Sequence, residues 1–222
     1  MHKKLYLIRH GETEGADAKR YKGHIDVPLS DNGIKQMERL SKYIHQLIAH
    51  SSQSTKLNAV YTSDLSRAVK SAEIIARPHG LEPVVMKDLK ERNFGLWEGM
   101  SFDEIKEKYP DEFQAWADNP VKFSPINGEN TIEVRDRAVR AIDKIFADDK
   151  AQKIAIVCHG GISRVILCHF LGIPLENIFR IEQDFAAVNI IDLFDGFPVV
   201  KLINYRVQST EHRTQTGKIK NA

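Results

Sequence analysis

Only two cysteines, Cys158 and Cys168, occur among the 222 residues. Two cannot build a secreted disulfide framework, so both read as reduced and packed, Cys158 in an apolar run and Cys168 on a helix. Charge of either sign is not in excess, since 32 basic and 30 acidic residues leave a formal net charge of +2. Such a balance provides no global field toward nucleic acid or a membrane surface, and any anion preference must be local. No apolar run is long enough to span a bilayer, and Met1-His2-Lys3-Lys4 leads into only four apolar residues, too few for a secretory signal. The expectation is a soluble, cytoplasmic chain. Internal repeats are missing. His24, His45, His50, His79 and His169 lack metal-ligand spacing with cysteines or carboxylates, which argues against a structural zinc.

What is present is core-forming material, 42% hydrophobic, enough for one substantial core. Short apolar runs at Leu5 to Ile8, Ala59 to Tyr61, Val84 to Met86 and Ile154 to Val157 predict strands buried on both faces and mostly parallel. Between them, Asp31 to Ala49 carries Ile34, Met37, Leu40, Ile44 and Leu47 on one helical stripe, and Asp64 to Arg77 carries Val69, Ile74 and Ile75. Ala186 to Phe194 and Val199 to Tyr205 flank Asp195-Gly196-Phe197-Pro198, a hairpin signal. The predicted fold class is α/β: a three-layer α/β/α architecture, a mostly parallel central sheet, one antiparallel C-terminal hairpin strand and a short helical lid insertion. That insertion, about 101–127, holds helices at Phe102 to Tyr109 and Phe113 to Ala117 and a loop with Pro120 and Pro125. A further helix runs from about Asn130 to Ala147. Residues 1–205 read as a single domain and 206–222, polar and aperiodic, as a flexible tail.

Two strand ends share one grammar. Leu5 to Ile8 runs into Arg9-His10-Gly11, and Ile154 to Cys158 runs into His159-Gly160-Gly161. In a doubly wound sheet the ligand crevice lies at the carboxyl edge, so both imidazoles can reach one pocket. The glycines after them allow close backbone approach, and a helix starting near Gly161 aims free N–H groups at an anion. A third strand feeds Ser63-Asp64-Leu65-Ser66-Arg67, with Ser63 or Asp64 as helix N-cap and Arg67 in the first turn. Two guanidiniums, Arg9 and Arg67, can hold phosphate oxygens bidentately, with the histidines as further donors. These residues describe a dianion pocket that needs no metal.

Arg9-His10-Gly11-Glu12-Thr13 resembles the signature of the histidine phosphatase superfamily, also called phosphoglycerate-mutase-like. The resemblance continues through Gly23, Asp26, Pro28, Leu29 and Gly33, then Ser63 to Ala68, then Glu91 to Gly99, then His159-Gly160, covering most of the chain. It implies that His10 accepts the phosphoryl group, that Arg9, Arg67 and His159 clamp it, and that Glu91 donates the leaving-group proton, with no cofactor or metal. Gly11, Thr13, Lys22, Gly23, His24 and Gly160 are the expected substrate-binding residues. One departure stands out. The family pattern has Asn three residues after the signature Thr, whereas this chain has Ala16, so Lys22, His24 or an N–H near Gly23 must substitute.

The function so implied is a metal-independent phosphomonoesterase acting on a small phosphorylated metabolite. The lid with Trp116, Asn119 to Ser124, and the terminal Asp195 to Leu202 segment look like the α-ribazole-5′-phosphate phosphatase branch. The alternatives are a phosphoglycerate mutase, whose cofactor-dependent members carry a longer insertion before the segment matching Asn127-Gly128-Glu129, and a pocket that binds phospho-ligands without turnover. Trp97 and Trp116 read as packing residues before lid residues. Arg20 and Lys22 flank the pocket loop.

Overall fold

The computed structural model describes residues 2–50, 56–148 and 151–208. Its sheet contains β1 (His2–Arg9), β2 (Ala59–Thr62), β3 (Val84–Val85), β4 (Lys153–Cys158), β5 (Val188–Phe194) and β6 (Phe197–Tyr205), in the order β3-β2-β4-β1-β5-β6. The first four are parallel to one another, and β5 runs antiparallel to both β1 and β6. Among the described strands β5 is therefore the one that runs against the rest.

Side-chain alternation along β1 divides the core in two, because successive residues of a strand point to opposite faces. Leu5 and Leu7 meet α5 (Thr131–Asp148) and α6 (Gly160–Leu171) through Val134, Ile142, Ile162 and Ile166. Tyr6 and Ile8 meet α1 (Asp31–Ala49) and α2 (Ser66–Ala76) through Met37, Leu40, Ile44 and Ile75. Helices thus cover both faces. Each fully buried Leu or Ile contributes about 1.5–3 kcal/mol, and β4, all of whose residues are buried, is the central strand of this arrangement.

Three expectations need correction. β3 is a two-residue edge strand whose valines are both 50% exposed, so only β1, β4 and β5 fit the doubly buried description. The hairpin turn holds two residues, Asp195 (φ 50°) and Gly196 (φ 87°), with Phe194 opposite Phe197. Two positive φ values define a type I′ turn, which suits strand twist, and Pro198 is tolerated because β6 is an edge. Finally, α2 is not capped by Ser63 or Asp64. Its N-cap is Leu65, and Asp26 from a remote loop accepts from both the N–H and the hydroxyl of Ser66 at 2.8 Å.

The lid consists of α3 (Phe102–Lys108) and α4 (Pro110–Asp118). A capping box between Ser101 and Glu104 starts α3, and Pro110 sits at the first position of α4, where its missing N–H costs nothing. Phe102, Phe113 and Trp116 form one aromatic cluster, which ties together two helices that bury little else. Of the expected tail, Arg206 lies near Asp184 at 3.9 Å, and 209–222 fall outside the described residues.

Candidate active site

His10 follows the last residue of β1, and its backbone N–H donates to Cys158 O at 2.9 Å, continuing the β1–β4 ladder by one rung. His159 follows β4. Adjacent parallel strands therefore bring the two rings together edge-on, with centroids 5.1 Å apart. Nδ1 of His10 lies 2.7 Å from Gly11 O, and a carbonyl can only accept, so Nδ1 carries the proton and the Nε2 lone pair is left free. His159 is fully buried, with Nε2 2.7 Å from Ser63 Oγ and Nδ1 without a partner among the described residues. Burial, followed by the charges of Arg9 and Arg67, holds His10 well below the usual imidazole range. Burial, then His10 and the two arginines, does the same to His159. Both rings are neutral near pH 7.

Arg67 is 2% exposed and donates through Nη1 to Ile25 O at 2.8 Å and through Nη2 to Gly23 O at 2.6 Å. Arg9 donates through Nη1 to Gln183 O and stacks over Phe185, its guanidinium carbon 3.9 Å from the ring centroid, while its buried Nε has no partner among the described residues. Burial lowers both guanidiniums, Arg9 to about 10, so each stays charged at neutral pH.

Glu91 accepts from Arg92 N at 2.9 Å and from Gly161 N, at the start of α6, at 3.1 Å. Two basic neighbours of Glu91 in the chain are engaged elsewhere. Lys90 pairs with Asp64 at 2.9 Å, and Arg92, 8% exposed, donates to Glu129 O, Phe123 O and Thr131 Oγ1. Arg137 grips Glu129 with two nitrogens and donates to the carbonyls of Asp88, Lys90 and Glu91.

A cavity of about 390 Å³ opens between the sheet edge and the lid. Arg9, His10, Thr13, Lys22, Gly23, Arg67, Glu91 and Gly160 line it, as do Arg20 and Ala16. His159 is not among the wall residues; its buried ring stands edge-on beside that of His10. Two expected substrate-binding residues fail to reach it. Gly11 gives its N–H to Ser71 Oγ at 3.2 Å, and a Cβ there would lie 2.5 Å from Gly33 O, so Gly11 serves the contact between the loop and α1. His24 spends Nε2 on Glu91 O at 2.8 Å and its N–H on Glu98, so it braces Glu91 instead of offering a phosphate donor. Lys22 donates to Thr13 Oγ1 at 2.6 Å and also to Glu14 O.

The other end of the cavity is apolar and aromatic: Phe94, Trp97, Trp116, Val134, Val165, Ile178, Phe179 and Phe185. Trp97, 4% exposed and stacked on Phe123, is a packing residue as expected. Trp116, also expected as a packing residue, lines the wall instead and meets Phe179 edge-on, centroids 6.4 Å apart. Sequence reasoning missed Arg164, which also lines the wall. Its position one turn after Gly160 was the available signal. Among the described residues no three His, Cys, Asp or Glu side chains are grouped as metal ligands, and no helix is long and apolar enough to cross a membrane.

An α/β sheet whose edge gathers a neutral imidazole, two guanidiniums and one carboxylate at a single cavity, with a second neutral imidazole packed edge-on beside the first, defines a phosphate-ester enzyme. The chain belongs to the histidine phosphatase superfamily (branch 1), whose family model matches residues 5–206. It is 30% identical to the adenosylcobalamin/alpha-ribazole phosphatase of Salmonella typhimurium, over 91% of this chain and 96% of that one. Phosphoserine phosphatase 1 of Hydrogenobacter thermophilus is 29% identical over 90% and 92% of the two chains. The solved alpha-ribazole phosphatase of Shigella flexneri superimposes with a TM-score of 0.81 at 28% identity, over 93% of this chain and 98% of that one.

Proposed function

We propose that this chain is a metal-independent phosphomonoesterase in which His10 carries the phosphoryl group and Glu91 shuttles the proton. The observation that carries the reading is the Nδ1–H of His10 held on Gly11 O, which leaves Nε2 unprotonated on a cavity shared with Arg9, Arg67 and Glu91. In the first step the Nε2 lone pair forms a bond to phosphorus, the phosphorus–oxygen bond to the leaving group breaks, and Glu91 gives its proton to that oxygen, releasing an alcohol. In the second, Glu91 takes a proton from water, the water oxygen bonds to phosphorus, and the phosphorus–nitrogen bond breaks to release inorganic phosphate and restore neutral His10. Arg9 and Arg67 neutralise the equatorial oxygens throughout. Such charge compensation supplies most of the rate in phosphoryl transfer.

The leaving group fits the aromatic end of the cavity. Glu91 is the one carboxylate among the described wall residues, and it belongs to the phosphate end, so an α-ammonium such as that of phosphoserine would meet no counter-charge. An aromatic nucleotide-like ester, for which α-ribazole 5′-phosphate is the named candidate, can stack on Trp116 and Phe179 instead.

The decisive experiment compares wild type, His10→Ala and Trp116→Ala on p-nitrophenyl phosphate, α-ribazole 5′-phosphate and phosphoserine. The expected result is loss of all turnover in His10→Ala. In Trp116→Ala, KM should rise about tenfold for α-ribazole 5′-phosphate, in line with roughly 1–1.5 kcal/mol of lost aromatic contact. Undiminished hydrolysis by His10→Ala overturns the mechanism, and a preference for phosphoserine overturns the substrate class.

A further inference from the structure

We infer that Ser63 is a positioning residue that places the single proton of His159 on Nδ1, turning a buried imidazole into a hydrogen-bond donor for the phosphoryl group at His10. The inference rests on the phosphatase reading above for its purpose, though not for its geometry. Ser63 Oγ and His159 Nε2 are 2.7 Å apart, and both residues are fully buried. Water therefore cannot exchange partners with either group.

A neutral imidazole has one N–H, so the pair has two arrangements. If Nε2–H donates to Oγ, the serine hydroxyl must donate its own proton elsewhere, and no other acceptor for it is found among the described residues. Nδ1 would then be a bare acceptor with no donor. If instead Oγ–H donates to Nε2, the same oxygen still accepts from Leu65 N–H at 3.4 Å, and Ser63 is satisfied on both sides. One group is left over, Nδ1–H of His159, which is buried and has no partner among the described residues. An unpaired buried donor is costly and calls for an explanation. An incoming anion oxygen beside the His10 ring, whose centroid is 5.1 Å from that of His159, provides one.

The choice of tautomer matters because His159 does not become an imidazolium. Burial, His10, Arg67 and Arg9 all oppose a second proton. With only one proton on the ring, its location decides whether His159 presents a donor or a lone pair to a phosphate oxygen. A lone pair there would repel the dianion. Ser63 lies at the end of β2, one residue after Thr62, so the strand ladder that fixes β2 against β4 also sets this contact.

The test is a nitrogen-detected imidazole spectrum of 15N-labelled protein, with His159 assigned by its disappearance in His159→Gln. Wild type should show a protonated Nδ1 and an unprotonated Nε2. Ser63→Ala should give a mixture of the two tautomers. Its kcat on p-nitrophenyl phosphate should fall about 10²-fold, the usual cost of one misplaced oxyanion donor, with KM changed by less than about threefold. Ser63→Thr, which keeps the hydroxyl, should restore both. A wild-type proton on Nε2 overturns the inference, as does a Ser63→Ala protein with wild-type spectrum and kcat. If Ser63→Ala does not fold, the wild-type spectrum alone decides. Hydrolysis by His10→Ala, by contrast, would sink the phosphatase reading while leaving the tautomer measurement intact.

Discussion

The amide of Gly161 donates to Oε2 of Glu91 over 3.1 Å, and a Cβ built on Gly161 would stand 2.4 Å from Oε1 of the same carboxylate. The first turn of α6 and the proposed proton carrier are therefore in contact with no room for a methyl group. Gly161→Ala should separate activity from stability. Alanine is favoured over glycine in a helix by up to about 1 kcal/mol, so the thermal midpoint should hold or rise. The displaced carboxylate should lose about 10–10² in kcat/KM, which excludes the common hydrolysis step, on esters with poor leaving groups. Less should be lost on p-nitrophenyl phosphate, whose leaving oxygen needs no proton. Equal losses on both would deny Glu91 its acid role.

Arg137 supports the same carboxylate from behind. Its side chain, 12% exposed, is tied to Glu129 by two nitrogens and to the carbonyls of Asp88, Lys90 and Glu91, so it sets the path of the chain entering Glu91. Arg137→Met should destabilise by roughly 2–3 kcal/mol, mainly through the half-buried Glu129 left without its partner. Urea unfolding measures the loss. Arg137→Lys should recover little of it, since an ammonium cannot reproduce the fork. A Lys variant as stable as wild type would show that charge alone suffices.

These supports explain what could be read in advance. The period-2 and helical patterns show the layers, and strand-then-histidine occurs twice because both rings must stand at one sheet edge. That much needs only local rules. Partners chosen across the fold do not: Asp26 caps α2 from 40 residues away, Ser63 turns from capping to His159, and His24 braces Glu91. Each of these side chains had a local option, and tertiary packing overrode it. β3 differs from expectation for a related reason, because an apolar run does not reveal whether its strand lies at the centre or the edge.

Stability should fall with acid. His10, His159 and His79 are all lowered by burial, His79 to about 4. Their folded values lie below the unfolded value of about 6.5, so the unfolded chain binds more protons as pH drops. This contribution is complete above about pH 6.5 and is lost progressively below it, with His79 spanning the window down to about 4. His79 Nδ1 accepts from Leu57 N at 3.1 Å, a bond that protonation would break. Urea midpoints at about pH 7.5 and 5 should therefore differ more in wild type than in His79→Asn, whose Oδ1 can accept from the same amide without titrating. Equal differences would remove His79 from the account.

Ala16 leaves a gap on the cavity wall that can be filled. The family pattern puts a phosphate-binding Asn there, and His24, one of the candidates to replace it, is engaged through its ring at Glu91 O and through its N–H at Glu98. Lys22 has capacity left, because its ammonium has three protons and two go to Thr13 Oγ1 and Glu14 O. Ala16→Asn should therefore lower the inhibition constant of inorganic phosphate about 3–10-fold, the value of one added hydrogen bond, roughly 0.6–1.4 kcal/mol. Folding stability should shift by less than about 0.5 kcal/mol, since the position is a half-exposed loop residue. Lys22→Met supplies the cross-check. It should weaken phosphate binding strongly in the native background and less when A16N is also present, because the two donors then share one oxygen set. Competitive inhibition with the four proteins measures both terms. Strictly additive effects would mean that Lys22 and the introduced amide serve different oxygens, and an unchanged constant in A16N would place residue 16 beyond reach of the phosphate.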